Sequence, residues 1–95
     1  MKILRDFQGR AIRLTQERLT HILEHPEMAG MEQAIEEALV RPERVVESFS
    51  DPQARLYYRF YVGTRVGDSD EDAFLLTACL TDTIKKGVQL WPKEG

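Results

Sequence analysis

Two imidazoles four residues apart are the first chemical lead in this chain. His21 and His25 fall on one face of a helix expected over residues 16–25, with Arg18 three residues before His21. Thr15 suits the N-cap and Glu17 the first turn, while Leu19, Ile22 and Leu23 form the stripe that faces a core. Pro26 disfavours the α conformation at His25 and ends the helix there. Imidazole titrates near neutral pH, so such a pair can take a proton and give one back. The same residues match the H-x-x-E-H pattern of inverted zincins through His21, Glu24 and His25. That match lacks a third ligand in a second helix, so neither a metal nor another cofactor is expected. Ordinary surface histidines are the remaining alternative.

Two further groups could handle an anion. In the segment 55–62, Arg55, Tyr57, Arg59 and Tyr61 alternate with Leu56, Tyr58, Phe60 and Val62. The period of two predicts a strand with the second set facing a core and the first facing out. Alternating guanidinium groups and rings suit single-stranded nucleic acid, because cations take phosphates and rings stack on bases. The same residue types also fill any exposed sheet face. Thr77 and Thr81, followed by Lys85 and Lys86, place hydroxyls and ammonium groups where a phosphate could be cradled. A capped turn with two solvated lysines explains them equally. The acidic run Asp68 to Asp72 begins like a calcium loop, but Ala73 and Cys79 stand where glycine and glutamate are needed, so it is expected to be a solvated loop.

The elements that must position these groups follow from periodicity. Residues 2–7 and 10–14 flank Gln8-Gly9 as a hairpin. After the histidine helix, Met28-Ala29-Gly30 is a break, and Met31, Ala34, Ile35, Ala38 and Leu39 mark a second amphipathic helix that stops before Pro42. Strands are expected over 44–49, 55–62, 73–80 and 88–91, with Phe74, Leu76, Ala78 and Leu80 on the core face of the third. Thr81 or Asp82 would cap a single helical turn ending at Gly87. The expected class is α+β, with an N-terminal hairpin and two helices packed on a small antiparallel meander.

The totals set bounds. Ninety-five residues make one domain, and one cysteine allows no internal disulfide. With 42% hydrophobic and 31% charged residues and no long apolar run, the expectation is a soluble cytoplasmic chain without membrane segments. The net charge of −3 is unevenly spread: residues 1–23 carry five bases against two acids, residues 24–52 eight acids against two bases, and residues 53–67 three bases and no acid. A locally basic surface is compatible with an acidic total.

Several motifs occur in order along almost the whole chain. They are Leu14-Thr15, His21-Ile22, His25-Pro26-Glu27, Pro42-x-x-Val45-x-x-Ser48, Tyr57-Tyr58-Arg59, Thr77-Ala78, Thr81-Asp82, Ile84-Lys85-Lys86-Gly87 and Leu90-Trp91. From Asp6 to Trp91 the pattern resembles the phage-type branch of the Barnase–EndoU–colicin–RelE-like nuclease superfamily. The resemblance implies a single nuclease-like domain over 1–95, of phage or toxin origin, that cleaves RNA without metal. A ribose 2′-OH would attack its own 3′ phosphate, with His21 and His25 as acid and base. Arg55 and Lys85 would neutralise the phosphate, Thr77 and Thr81 hydrogen-bond it, and Tyr57, Arg59 and Lys86 bind the substrate.

The chain departs from that pattern in one place. The interval Gly63 to Asp72 is glycine-rich and acidic, and is expected to lack the hydrophobic strand the resemblance calls for. The alternative function is then a catalytically inactive, shortened relative that binds or oligomerises, with an exposed sheet edge available to a second copy.

Overall fold

The computed structural model describes residues 2–69 and 72–92. Strand β1 (Lys2–Arg5) pairs antiparallel with β2 (Ala11–Leu14), Lys2 opposite Leu14 and Arg5 opposite Ala11. The connection is held by Asp6, whose Oδ1 accepts the backbone N–H of both Gln8 and Arg10 at 2.9 Å. Gly9 turns the chain at φ +79°, a left-handed conformation open to glycine at little cost.

Helix α1 (Gln16–Leu23) starts where expected, with Thr15 Oγ1 accepting the Arg18 N–H at 3.2 Å and Leu19 and Ile22 buried. It stops two residues earlier than the sequence suggests. His25 is already extended, and Pro26–Met28 form a short 3-10 turn anchored by the fully buried Met28. Helix α2 (Glu32–Val40) buries Ile35, Ala38 and Leu39. No helix among the described residues is long and apolar enough to cross a membrane.

Five strands follow: β3 (Arg44–Ser48), β4 (Ala54–Arg59), β5 (Val62–Ser69), β6 (Asp72–Leu80) and β7 (Gly87–Trp91). The sheet order is β1-β2-β6-β5-β4-β3-β7. The antiparallel meander runs only from β3 to β6. The N-terminal pair joins it through a parallel contact of β2 with β6, and β7 returns to the outer side of β3. Both helices cover one face, where Leu4, Ile12, Leu14, Val45, Tyr57, Val66 and Leu75 join the helix stripes in one core.

Four expectations are corrected here. The interval after Val62 holds a strand after all, and β5 lies between β4 and β6 in the middle of the sheet. It needs few large side chains because neighbouring rings cover its glycines. A Cβ on Gly63 would lie 3.1 Å from the Tyr58 ring, and one on Gly67 2.8 Å from the Phe74 ring. Asp68 accordingly belongs to β5, not to a loop, while residues 70 and 71 lie outside the described residues.

The faces of β4 are also reversed. Tyr57, expected to point out, is fully buried in the core beneath the helices. Of the set expected inside, Leu56 is buried but on the opposite face, Val62 joins the core from β5, and Phe60, in the turn after β4, is two-thirds exposed. In β6 the alternation changes phase. Thr77 pairs with Arg65 but Leu75 with Val66, so Leu76 is the extra residue of a β-bulge. Ala73, Leu75 and Ala78 therefore face the helices, while Phe74, Thr77 and Cys79 are exposed. Arg18 donates to the bulge carbonyl, Leu76 O, at 3.3 Å.

Finally, no helical turn forms between β6 and β7. Three strands separate these two, so the connection spans four strand spacings, about 19 Å at roughly 4.8 Å each. The seven steps from Leu80 to Gly87 reach about 24 Å when extended but only about 10 Å as helix. The segment is stretched across the open face of the sheet instead. It touches down at Gly87, where a Cβ would lie 2.1 Å from Glu47 O and 2.3 Å from Val46 Cγ1. Gly87→Ala is expected to destabilise the fold by about 2–3 kcal/mol in chemical unfolding, since backbone must move to admit the methyl.

A candidate binding groove on the open face

The strap formed by residues 81–86 divides the open face into two depressions that share Tyr58 and Thr81 as a wall. The smaller, about 110 Å³, lies among Leu56, Gly63, Thr77, Cys79 and Lys85. The larger, about 510 Å³, is bounded by Glu43, Arg44, Arg59, Phe60, Tyr61 and Ile84. The strap is tied down at Tyr58, whose hydroxyl accepts the Lys85 backbone N–H at 3.2 Å. Thr81 Oγ1 closes a local turn, accepting the Thr83 N–H and donating to Thr83 O, both at 3.1 Å.

Phe60 and Tyr61 form the whole two-residue loop between β4 and β5, at φ 46° and 70°. Positive φ at both central residues is the signature of a type I′ turn, where Asn-Gly is the favoured pair. Both rings stand in solvent, 67% and 72% exposed. The backbone around them is fixed on both sides. Phe60 N–H donates to Glu43 Oε1 at 2.7 Å, and Tyr61 O accepts the Thr81 N–H at 2.6 Å. The Arg59 guanidinium lies 4.6 Å from the Phe60 ring centre and donates to Arg41 O at 2.8 Å.

The residues singled out from sequence fall into three places. Thr77, Thr81 and Lys85 share the smaller depression, with Arg59 at the larger one and Lys86 exposed on the strap. His21 and His25 are neighbours, their rings edge-to-face with centres 5.9 Å apart, but on the helix layer. The depression beside His21 is walled by its own helix and cap alone, from Thr15 to Glu24. Helix α1 sits on the Ala73–Leu75–Ala78 side of β6, whereas Thr77 and Cys79 project from the opposite side. The sheet and its core thus stand between the imidazoles and the Thr–Lys group, and the common cleft expected for catalysis is not formed.

Arg55 and Tyr57 occupy a third place on the helix side of the sheet, Tyr57 fully buried and Arg55 half-buried. Tyr57 OH donates to Asp6 Oδ2 at 2.9 Å. Arg55 Nε lies 3.2 Å from Asp68 Oδ2, and Arg10 donates to the other oxygen of the same carboxylate. Burial, then the nearby Asp6 charge, push the Tyr57 phenol well above its usual range. The hydrogen bond from Arg10 holds the Asp68 carboxyl below the usual carboxylate range. Every buried polar side-chain atom among the described residues has a partner, so this network reads as a structural clamp. Its Asp6 anchor could have been suspected from Asp6-x-Gln8-Gly9-Arg10, a pattern suited to an Asx turn. Phe60 and Arg44, also overlooked in sequence, become relevant only through the turn and the pairing of Arg44 with Tyr58.

Among the described residues no three of His, Cys, Asp and Glu gather as a metal-binding group. The groove instead offers ring faces, guanidinium and ammonium groups and hydroxyls, with the carboxylates of Glu43 and Asp82 among the walls of its larger part.

Two outcomes follow from the internal clamp. Tyr57→Phe leaves the buried Asp6 carboxylate one donor short and is expected to cost about 1–3 kcal/mol in unfolding free energy. Because the folded carboxyl of Asp68 is depressed, its contribution is complete above the ordinary aspartate range and is lost as pH falls through the lower folded value. Asp68→Asn should therefore flatten the acid limb of a stability–pH curve, with little change in its slope above pH ~5.

Comparison of the chain with protein-family models, with curated proteins and with solved structures finds no match in any of the three.

Proposed function

We propose that this chain is a non-catalytic binding domain for single-stranded RNA, held in the open-face groove. Bases would stack on Phe60 and Tyr61, and phosphates would meet Arg44, Arg59, Lys85 and the hydroxyls of Thr77 and Thr81. The observation that carries the proposal is the hairpin apex. A left-handed backbone costs about 1–2 kcal/mol for each non-glycine residue. Two exposed rings recover little of it by burial, and the Arg59–Phe60 contact is worth only about 0.5–1 kcal/mol at such a site. Aromatic side chains held there at a net cost to folding are better explained by a ligand than by stability.

Catalysis is left out because a general base must come within hydrogen-bond reach of the hydroxyl it deprotonates. Neither histidine lines the groove. The resemblance to RNA-cleaving nucleases supplies the choice of RNA among anionic polymers.

The test replaces Phe60→Asn together with Tyr61→Gly. This pair should stabilise the fold by about 1–3 kcal/mol, because it relieves the turn. It should also weaken binding of a labelled single-stranded RNA more than about tenfold, as stacking is worth roughly 1–3 kcal/mol per base. Fluorescence anisotropy reads the affinity, and gel analysis of metal-free incubations reads the RNA itself. His21→Ala should leave both unchanged. Equal affinity in the turn variant would remove the proposal, and cleavage that disappears with His21→Ala would replace it with the catalytic one.

A further inference from the structure

A further exposed ring stands on the same open face, well away from the β4–β5 turn. Phe74 pairs with Gly67 on β5 and with Arg13 on β2. Its ring covers Gly67, where a Cβ would come within 2.8 Å of Cε2 and Cζ. That cover occupies one side of the ring, and the residue remains 37% exposed. Beside it a cavity of about 260 Å³ is walled by Arg13, Thr15, Arg18, Phe74 and Leu75. Arg18 reaches the cavity from α1 and is held by the bulge in β6, donating to Leu76 O. Bulges often re-aim a side chain beside a functional site. No ion pair among the described residues includes Arg18. Arg13 does pair with Asp72, but both side chains are well exposed, and such a contact is weak enough for a phosphate to share.

We propose that Phe74, Arg13 and Arg18 form a second subsite for base stacking and phosphate, and that one RNA strand runs along β5 from the Phe60–Tyr61 turn to this cavity. The subsite depends on the RNA reading of the turn. A base stacks on the solvent side of Phe74, and its phosphate meets Arg18 and Arg13. The smaller depression, with Arg65, Thr77 and Lys85, lies between the two ring sites and takes the connecting phosphates. From Val62, next to the turn, to Gly67, under Phe74, the strand covers about 17 Å. Bases stacked at about 3.4 Å each reach that far with about six nucleotides, whereas three reach only one site. The ligand is therefore a strand of about six nucleotides or more, not a mononucleotide or a dinucleotide.

Fluorescence anisotropy on the full chain, with labelled hexauridylate and labelled triuridylate, tests the subsite. Phe74→Leu keeps an apolar cover on Gly67 but removes the ring. It should weaken hexauridylate about tenfold. Triuridylate, which settles at the two-ring turn, should change less than about twofold. Arg18→Gln should likewise weaken the longer strand alone. It should also make the plot of log K against log salt shallower by about 0.7, the share of one phosphate contact on a single strand. The double substitution Phe60→Asn with Tyr61→Gly should weaken both lengths. Hexauridylate affinity unchanged in both Phe74→Leu and Arg18→Gln overturns the subsite and leaves the turn reading in place. An equal loss for both lengths in Phe74→Leu also overturns it, since that reports a disturbed sheet. A wild-type chain that binds neither oligonucleotide removes the subsite and the turn reading together.

Discussion

Tyr57 buried on Asp6 is the contact that fixes which side of the sheet does what. Strand side chains alternate, so a slip of one residue in β4 would exchange its two faces completely. The phenol, hydrogen-bonded to a carboxylate that itself holds the β1–β2 turn, ties the middle strands to the N-terminal hairpin from inside the core. With Tyr57 inside, Leu56 and Tyr58 must face the other way. That choice directs Arg55 inward to Asp68 and leaves Tyr58 to receive the strap.

The open face is shaped by what is missing from it. Gly63 and Gly67 in the central strand leave room for the rings of Tyr58 and Phe74 to lie flat, and Gly87 lets the strap meet β3 backbone to backbone. A stretched connection of fixed reach then has little freedom to wander. Its hydrogen bond to Tyr58 and the Thr81–Tyr61 contact at the turn make one continuous wall between two depressions. Phosphate-binding residue types thus end up beside exposed aromatic rings, although neither lies near the histidines.

This geometry separates two properties that the sequence motifs present together. The imidazoles sit on the helix layer, and Thr77, Thr81 and Lys85 sit on the other side of the sheet. Catalysis by positioned acid and base depends on sub-ångström arrangement, which two sides of a core cannot supply. Recognition by stacking and phosphate contact asks only for one contiguous surface.

The sequence by itself determined the helix that begins at Thr15, the second amphipathic helix, the α+β class and the approximate span of most strands. Each of these rests on local spacing and capping, which neighbouring residues dictate. It did not determine the phase of β4, because both alternating sets in 55–62 contain aromatic residues and the last two form a turn. Nor could it show β5 as a strand, since the apolar cover of that strand comes from Tyr58 and Phe74 on its neighbours. Tertiary structure alone decided that Leu76 bulges, that residues 81–86 are pulled straight, and that Tyr57 finds Asp6 fifty-one residues away. Faces and distances of this kind are set by pairing between remote segments, and no local pattern contains them.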